Sequence, residues 1–368
     1  MAGIYLHIPF CRQACHYCNF HFSTSLRNRD ALLQAIATEV ELQKDFLEGA
    51  PIDTIYFGGG TPSLLTGNEL EMLLTRLHRH FIIQEHAELT LEANPDDLTE
   101  VALSDWQALG INRLSIGVQS FFEEDLRWMN RAHSAEQSWK GLEAARRHFD
   151  NITIDLLYGT PGLSDPKWRS NVMQAIALDI RHLSCYALTV EPQTPLDKLI
   201  RLSKKEAIDP DQQAGQFLLL MEWLEAAGYI HYEISNFAKP GYISRHNASY
   251  WSGTPYLGLG PSAHSFNGRM RQWNVSNNSR YIEAIKRGSP DIGNEVLTPD
   301  QQLNEYIMTS LRTAEGLQLE RTGAAANAIL QAAGTYLNSG HLTEKQGVLR
   351  LTREGKLLAD GIAATLFR

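Results

Sequence analysis

From Ile4 to Ser184 the chain alternates short β-rich runs with longer stretches whose apolar residues recur at helical spacing. IYLHI, DTIYF, AELTLE, RLSIGV, ITIDLLY and HLSCYAL read as six strands. Between them, Leu32, Leu33, Ile36, Val40 and Phe46, and then Leu70, Leu73, Leu74 and Leu77, trace one face of amphipathic helices. Helix starts are marked as well. Ser134 with Gln137 has the spacing of a capping box, and Asp165-Pro166 and Asp209-Pro210 put proline where a first helical turn tolerates it. Strands separated by helices predict a parallel sheet, and right-handed strand–helix units curl such a sheet into a barrel or part of one. The loops at the strand C-terminal ends then form the active face. The expected fold class is α/β: an open, partial parallel β/α barrel with a smaller, mainly helical C-terminal domain.

Beyond a helix predicted over 212–227 the rhythm changes to short strand-like and glycine-rich pieces, YIHYEISNFAKPGYISRHNASYW and YLGLGPSAHSFNG. Over 236–295 these predict a connecting layer after a barrel domain at 1–235. From Thr298 the chain reads as helix again, opened by the capping pattern TPDQ and followed by Leu303, Ile307, Met308 and Leu311 at core spacing. The last stretch suggests a hairpin and a helix, so 296–368 is expected to be a helical domain with a winged-helix-like end.

Composition bounds the function. With 43% apolar and 20% charged residues in 368, the chain suits a globular protein with a large core. A formal charge of −9 works against nonspecific attraction to nucleic acid, and favours a structural or docking role for the C-terminal domain over DNA contact. No apolar run approaches the ~20 residues of a spanning helix. Membrane contact, if any, is expected to be peripheral.

Four cysteines carry the candidate chemistry. Cys11, Cys15 and Cys18 form C-x3-C-x2-C just after the first predicted strand, and Cys185 lies far away inside a strand pattern, where it reads as a small buried hydrophobe. Three thiolates on one loop can hold three corners of a cubane iron–sulfur cluster and leave the fourth iron open to an exogenous ligand. A Cys3His zinc site completed by His16 or His21 is the alternative. Three clustered cysteines cannot pair evenly, and the N-terminus does not read as a signal peptide, so reduced thiols and a cytoplasmic location are expected.

The cysteine spacing after strand one, together with FGGGTPS at 57–63, resembles the radical S-adenosylmethionine (SAM) superfamily. The resemblance implies a [4Fe–4S] cluster on Cys11, Cys15 and Cys18 whose open iron is chelated by SAM, and an electron from the cluster able to cleave the sulfonium. The rest of the chain resembles, nearly end to end, the group containing oxygen-independent coproporphyrinogen III oxidase and the HemW-type heme chaperones. Two departures from the oxidase stand out: only ten residues precede Cys11, and Phe20 occupies the place of a further cysteine. HNASYW at 246–251 matches instead the HN-x-x-YW signature of the chaperone branch.

That resemblance implies heme binding and transfer to apo-hemoprotein acceptors, respiratory ones among them, with SAM-dependent decarboxylation of coproporphyrinogen III as the alternative activity. It also suggests a homodimer. It implies SAM contacts from Tyr5, Tyr17, Gly59, Gly60, Thr61, Glu92, Gln119, Arg131 and Asp155, each at or beside a predicted strand end or on the cysteine loop. Ordinary packing is the bland reading of Tyr5, and a rim ion pair that of Arg131 with Asp155. His246 is expected to ligate heme iron, with Tyr250 and Trp251 offering flat surface to the macrocycle. His264 is a weaker candidate, expected to line the SAM side of the cavity.

Overall fold

The computed structural model describes all 368 residues. The six expected strands are β1 (Ala2–Ile8), β2 (Ile52–Gly59), β3 (Ile83–Ala93), β4 (Arg113–Gln119), β5 (Ile152–Tyr158) and β6 (His182–Ala187), parallel and paired in sequence order. Their crossovers contain α1 (Arg29–Leu42), α2 (Gly67–His80), α3 (Glu100–Ala108), α4 (Glu123–Met129), α5 (Ala135–His148) and α6 (Asp165–Ala177). After β6 come α7 (Pro195–Arg201) and α8 (Pro210–Ala226). Caps fix where several of these begin. Ser134 and Gln137 close a reciprocal capping box at α5, and the Asp209 carboxylate accepts from the Asp211 and Gln212 N–H groups at α8.

Alternation along the strands explains the layering. In β3, β4 and β5 the residues Leu89, Leu91, Leu114, Ile116, Ile154 and Leu156 face the helices and join one core of 59 buried residues. The intervening Glu88, Glu92, Arg113, Ser115, Thr153 and Asp155 point the other way, into a polar lumen. There Arg113 donates to Thr153, whose hydroxyl also bonds His182 Nδ1 at 2.9 Å. Arg113 is fully buried, and its Nε and Nη1 make no hydrogen bond, although Glu88 lies 3.9 Å from Nε.

The segment expected as a separate connecting layer instead extends this sheet at both edges. A hairpin of β7 (Ile230–Glu233) and β8 (Asn236–Ala238) adds antiparallel to β6. After α9 (Arg245–Trp251), β9 (Tyr256–Leu259) pairs parallel with β1, and β10 (His264–Phe266), β11 (Met270–Asn274) and β12 (Ile292–Val296) follow antiparallel, with α10 (Asn278–Lys286) between the last two. The result is a twelve-stranded sheet whose end strands β7 and β12 do not meet, so the barrel is open. Leu257, Leu259, Tyr281, Ile282 and Ile285 share the barrel's core, which is why the chain shows no packing boundary near residue 235.

A second core of eleven buried residues belongs to the C-terminal region. It is built by α11 (Pro299–Leu311), β13 (Leu317–Gln318), α12 (Ala326–Asn338), the hairpin β14 (Leu342–Lys345) and β15 (Val348–Leu351), α13 (Arg353–Lys356) and α14 (Ala359–Leu366). Thr298 and Gln301 form the capping box at α11, and β13-β15-β14 is a small antiparallel sheet against the helices. No helix is long and apolar enough to cross a membrane.

Candidate functional site

The cysteine loop leaves the C-terminal end of β1 and is tied down at several points. Arg12 bridges Asp96 at 2.7 Å and Asp97 at 2.6 Å beyond β3. Asn130, in the left-handed conformation that ends α4, donates to the Ala14 carbonyl at 2.8 Å, and the His16 N–H bonds the Met129 carbonyl at 3.1 Å. These clamps hold Cys11, Cys15 and Cys18 on one wall of a cavity of about 470 Å³ at the strand C-terminal ends. Arg12, Asn94 and Asn130 were not singled out from the sequence. Asn94 sits inside LEANPD and Asn130 just before Arg131, so both were within reach.

All three thiols are half-buried and free. Thr61 Oγ1 lies 3.6 Å from Cys11 Sγ, and Arg131 Nη1 lies 3.3 Å from Cys15 Sγ. Burial pushes the Cys18 thiol up to about 11 and raises that of Cys11. Thiols in that state need a cationic partner to ionise. Three half-buried sulfurs facing a cavity, with an N–H and an O–H donor aimed at two of them, fit three corners of an iron–sulfur cubane. No three His, Cys, Asp or Glu side chains converge on a single ion position. His16 Nδ1 faces the Trp128 carbonyl at 3.3 Å and His21 Nε2 bonds Asn278 at 2.7 Å, so neither zinc candidate is directed at the thiols.

Around this wall the cavity brings together Tyr17, Gly59, Gly60, Thr61, Glu92, Gln119, Arg131 and Asp155. Gly59 adopts φ +112°, and a Cβ there would sit 2.6 Å from the His7 ring. At Gly60 a Cβ would strike the Phe10 carbonyl oxygen at 2.7 Å. The glycines are therefore required by the cysteine loop packing over β2, a closer constraint than room for a ligand. Gln119 holds φ +68° without being glycine, strain stored at the cavity edge.

Charge inside the cavity is arranged in layers. Arg131 Nη2 donates to Asn94 Oδ1 at 2.7 Å and the Gly117 carbonyl at 2.8 Å, leaving Nη1 to Cys15 and Tyr17. This guanidinium is committed to the cysteine loop and does not form the rim ion pair with Asp155. Glu92 accepts from Tyr56 at 2.8 Å and the Gly59 N–H at 3.0 Å. Burial nonetheless raises its pKa. Asp155 is raised to about 7, first by burial and then by the charge of Glu92.

Two expected site residues lie elsewhere. Tyr5 does not line the cavity. Its hydroxyl reaches His7 Nδ1 at 3.1 Å, and its ring stacks on Tyr56 at 6.0 Å. His246 also lies outside that cavity. It is 1% exposed at the floor of the lumen, with Nδ1 bonded to Thr54 at 2.8 Å and Nε2 to Tyr250 at 3.0 Å, and its ring stacked on Tyr56 at 4.9 Å. One ring nitrogen donates and the other accepts, so both are occupied by protein partners in this conformation. Glu88 anchors α9 by accepting from the Arg245 and His246 N–H groups at 3.0 and 2.9 Å, at its first turn.

Comparison with known proteins agrees with this architecture. Residues 5–172 match the radical SAM superfamily, and residues 297–358 match the HemN C-terminal domain. The chain is 37% identical to the heme chaperone HemW of Mycobacterium tuberculosis over 99% of its own length and 94% of the relative's. It is 31% identical to that of Escherichia coli, covering 98% and 96% respectively. In structure it resembles E. coli coproporphyrinogen III oxidase (HemN) with a TM-score of 0.85 at 23% identity, over 100% of this chain and 90% of the other. Matched nearly end to end with those relatives at 31–37% identity, the chain belongs to the HemW family of the radical SAM superfamily.

Proposed function

We propose that this protein is a heme chaperone that binds heme and passes it to apo-hemoproteins, on a scaffold carrying a [4Fe–4S] cluster and SAM. The observation that carries the reading is the identity of 37% over 99% of the chain with a protein named heme chaperone HemW. The likeness to the oxidase is one of fold, at 23% identity. Phe20, 69% exposed on the cysteine loop, stands where the oxidase pattern has a further cysteine.

Cys11, Cys15 and Cys18 would hold the cluster, whose open iron supplies a binding position for SAM and an electron. This chain's own residues do the positioning. Arg131 orients the cysteine loop by donating toward Cys15 Sγ. Glu92 offers carboxylate oxygens beside Gly59, suited to an amino group, while Asp155 and Gln119 face the cavity where ribose hydroxyls would need partners. Tyr17, packed against Leu126, Met129 and Leu157, lines the cavity where the adenine would need an aromatic neighbour. Apo-hemoproteins, respiratory ones included, are the partners, the compartment is the cytoplasm, and a cluster-dependent homodimer belongs to the same reading.

The test is a transfer assay with the anaerobically reconstituted protein. Saturable binding near one heme per chain, followed by delivery to an apo-hemoprotein with recovery of its absorption spectrum, is expected. Binding without release to any acceptor refutes the chaperone role. Formation of protoporphyrinogen from coproporphyrinogen III with SAM and a reductant would establish the oxidase reading instead.

A further inference from the structure

Two neighbouring strands connect the HNASYW segment to the cavity. Thr54 and Tyr56 of β2 are two residues apart, Glu88 and Glu92 of β3 are four apart, and Thr54 pairs with Glu88 across the ladder, so all four share the lumen side. The first member of each pair holds α9. Thr54 Oγ1 bonds His246 Nδ1 at 2.8 Å, and the Glu88 carboxylate takes the His246 N–H at 2.9 Å. The second members hold each other. The Tyr56 hydroxyl donates to Glu92 Oε1 at 2.8 Å, while Glu92 Oε2 accepts the Gly59 N–H at 3.0 Å and the carboxylate lines the cavity.

His246 joins these two levels. Its ring stacks on Tyr56 with centroids 4.9 Å apart and planes 24° from parallel, and Tyr5 stacks with the same tyrosine at 6.0 Å and 28°. Burial, and then the charge of Arg113, lower the His246 pKa to about 3, so the imidazole packs as a flat, uncharged plate. The Tyr56 oxygen stands at the far end of a rigid ring. What packs on the ring's face therefore decides where the hydroxyl points, because an interior void lets the ring swing away. The cluster has little slack: a Cβ at Gly58 would lie 2.8 Å from the Tyr56 ring and 3.0 Å from Glu92 Oε1.

The rest of the segment braces the imidazole. The Tyr250 hydroxyl bonds His246 Nε2 at 3.0 Å and its ring meets Tyr256 edge-on at 4.6 Å, while the Arg312 guanidinium, just past the end of α11, lies over Trp251 at 5.2 Å. At the other end, a carboxylate with one oxygen fixed by an O–H and the other by an N–H keeps its remaining lone pairs for a cationic amino group arriving through the cavity.

We propose that His246 is a positioning residue for SAM: its ring fixes Tyr56, whose hydroxyl holds the Glu92 carboxylate in place for the SAM amino group. This rests on the reading that SAM occupies the cavity beside Glu92. It gives HNASYW a task at the SAM site, carried out through Tyr56 and without contact with SAM.

The experiment titrates SAM into the full-length, anaerobically reconstituted protein, read by calorimetry and by the EPR spectrum of the reduced cluster, with iron and sulfide measured for every variant. Tyr56→Phe keeps the ring, removes the hydroxyl and should weaken SAM binding about tenfold. His246→Ala should weaken it comparably, and the double variant no further than Tyr56→Phe alone, since both act through one carboxylate. His246→Phe returns a flat ring to Tyr56 and should recover most of the affinity while melting below the native protein, having lost the Thr54 and Tyr250 bonds. Ile362→Ala, in the C-terminal core, should lower the melting temperature and leave SAM affinity unchanged. Where His246→Ala does not retain its cluster, Thr54→Val is the gentler perturbation, expected to weaken SAM about threefold. Native affinity in Tyr56→Phe, in cluster-bearing His246→Ala or in Thr54→Val overturns the proposal, as do fully additive losses in the double variant. Absence of saturable SAM binding by the cluster-bearing native protein would instead refute the SAM reading of the cavity.

Discussion

Replacing Asp155 by asparagine should stabilise the SAM-free protein while weakening its hold on SAM. The carboxyl faces Glu92 across the lumen, and burial with that charge raises its pKa from 3.8 to about 7. Between those values the native state binds a proton that the unfolded chain has released, so stability falls as pH rises. The favourable contribution is fully present below 3.8 and is lost by the time pH has passed 7. At about 1.36 kcal/mol per pH unit the loss is at most about 4 kcal/mol. The carboxyl lines the cavity and is partly reached by its water, so about 2 kcal/mol is the expected size. Asparagine carries no such charge. Asp155→Asn should therefore raise the melting temperature at pH 8 by about 3 °C, and by much less at pH 4.5. SAM affinity, measured by calorimetry on the cluster-bearing protein, should fall about tenfold through loss of a charge-assisted hydrogen bond. Equal or lower melting temperature for Asp155→Asn at pH 8, or a gain independent of pH, would refute the reasoning.

Arg131→Lys should not preserve the cysteine loop, because an ammonium cannot span Asn94, the Gly117 carbonyl and Cys15 at once. Iron and sulfide retained after anaerobic reconstitution should drop, with about 1–3 kcal/mol of stability lost for the partners left unmet. Glu88→Gln should cost about 3 kcal/mol in urea unfolding, since it leaves the buried Arg113 charge without its carboxylate 3.9 Å away and loosens α9. A cost within error of zero would show that Arg113 finds compensation elsewhere in the lumen. In protein stripped of iron, iodoacetamide should label Cys11, Cys15 and Cys18 and spare Cys185, which is 1% exposed with its thiol pushed far above the usual range. Modification of Cys185 at the same rate, read by mass spectrometry, would contradict its burial.

Most of the scaffold was legible in the sequence because it depends on local spacing. Six strands of alternating or continuous apolar character, and capping boxes at Ser134 and Thr298, announce elements whose boundaries are set within a few residues. The cavity was legible for a related reason. Strand ends converge on one face of a parallel barrel, so Glu92, Gln119, Arg131 and Asp155 were bound to be near the cysteine loop once β3 to β5 were in place. The sheet extension was harder to read. β8 and β10 are three residues long, too short to show a period, and they are held by pairing with β6 and β7 and with β9 and β11. The alternative of an ion pair between Arg131 and Asp155 could be set aside only in the structure, where Asn94, the Gly117 carbonyl and Cys15 take the guanidinium.

The sequence by itself determined the order of strands and helices, the three-thiol loop and its place on the barrel's active face, since each follows from residue spacing and chain direction. Only the tertiary structure decided which histidine nitrogens are free. His246 and His264 both occur in glycine- and serine-rich stretches that look equally open. The first is closed by Thr54, 192 residues away, and by a helix start anchored on Glu88, while neither ring nitrogen of the second meets a hydrogen-bond partner. A lone pair is available only where no distant donor has been folded against it, and that is a property of packing rather than of pattern.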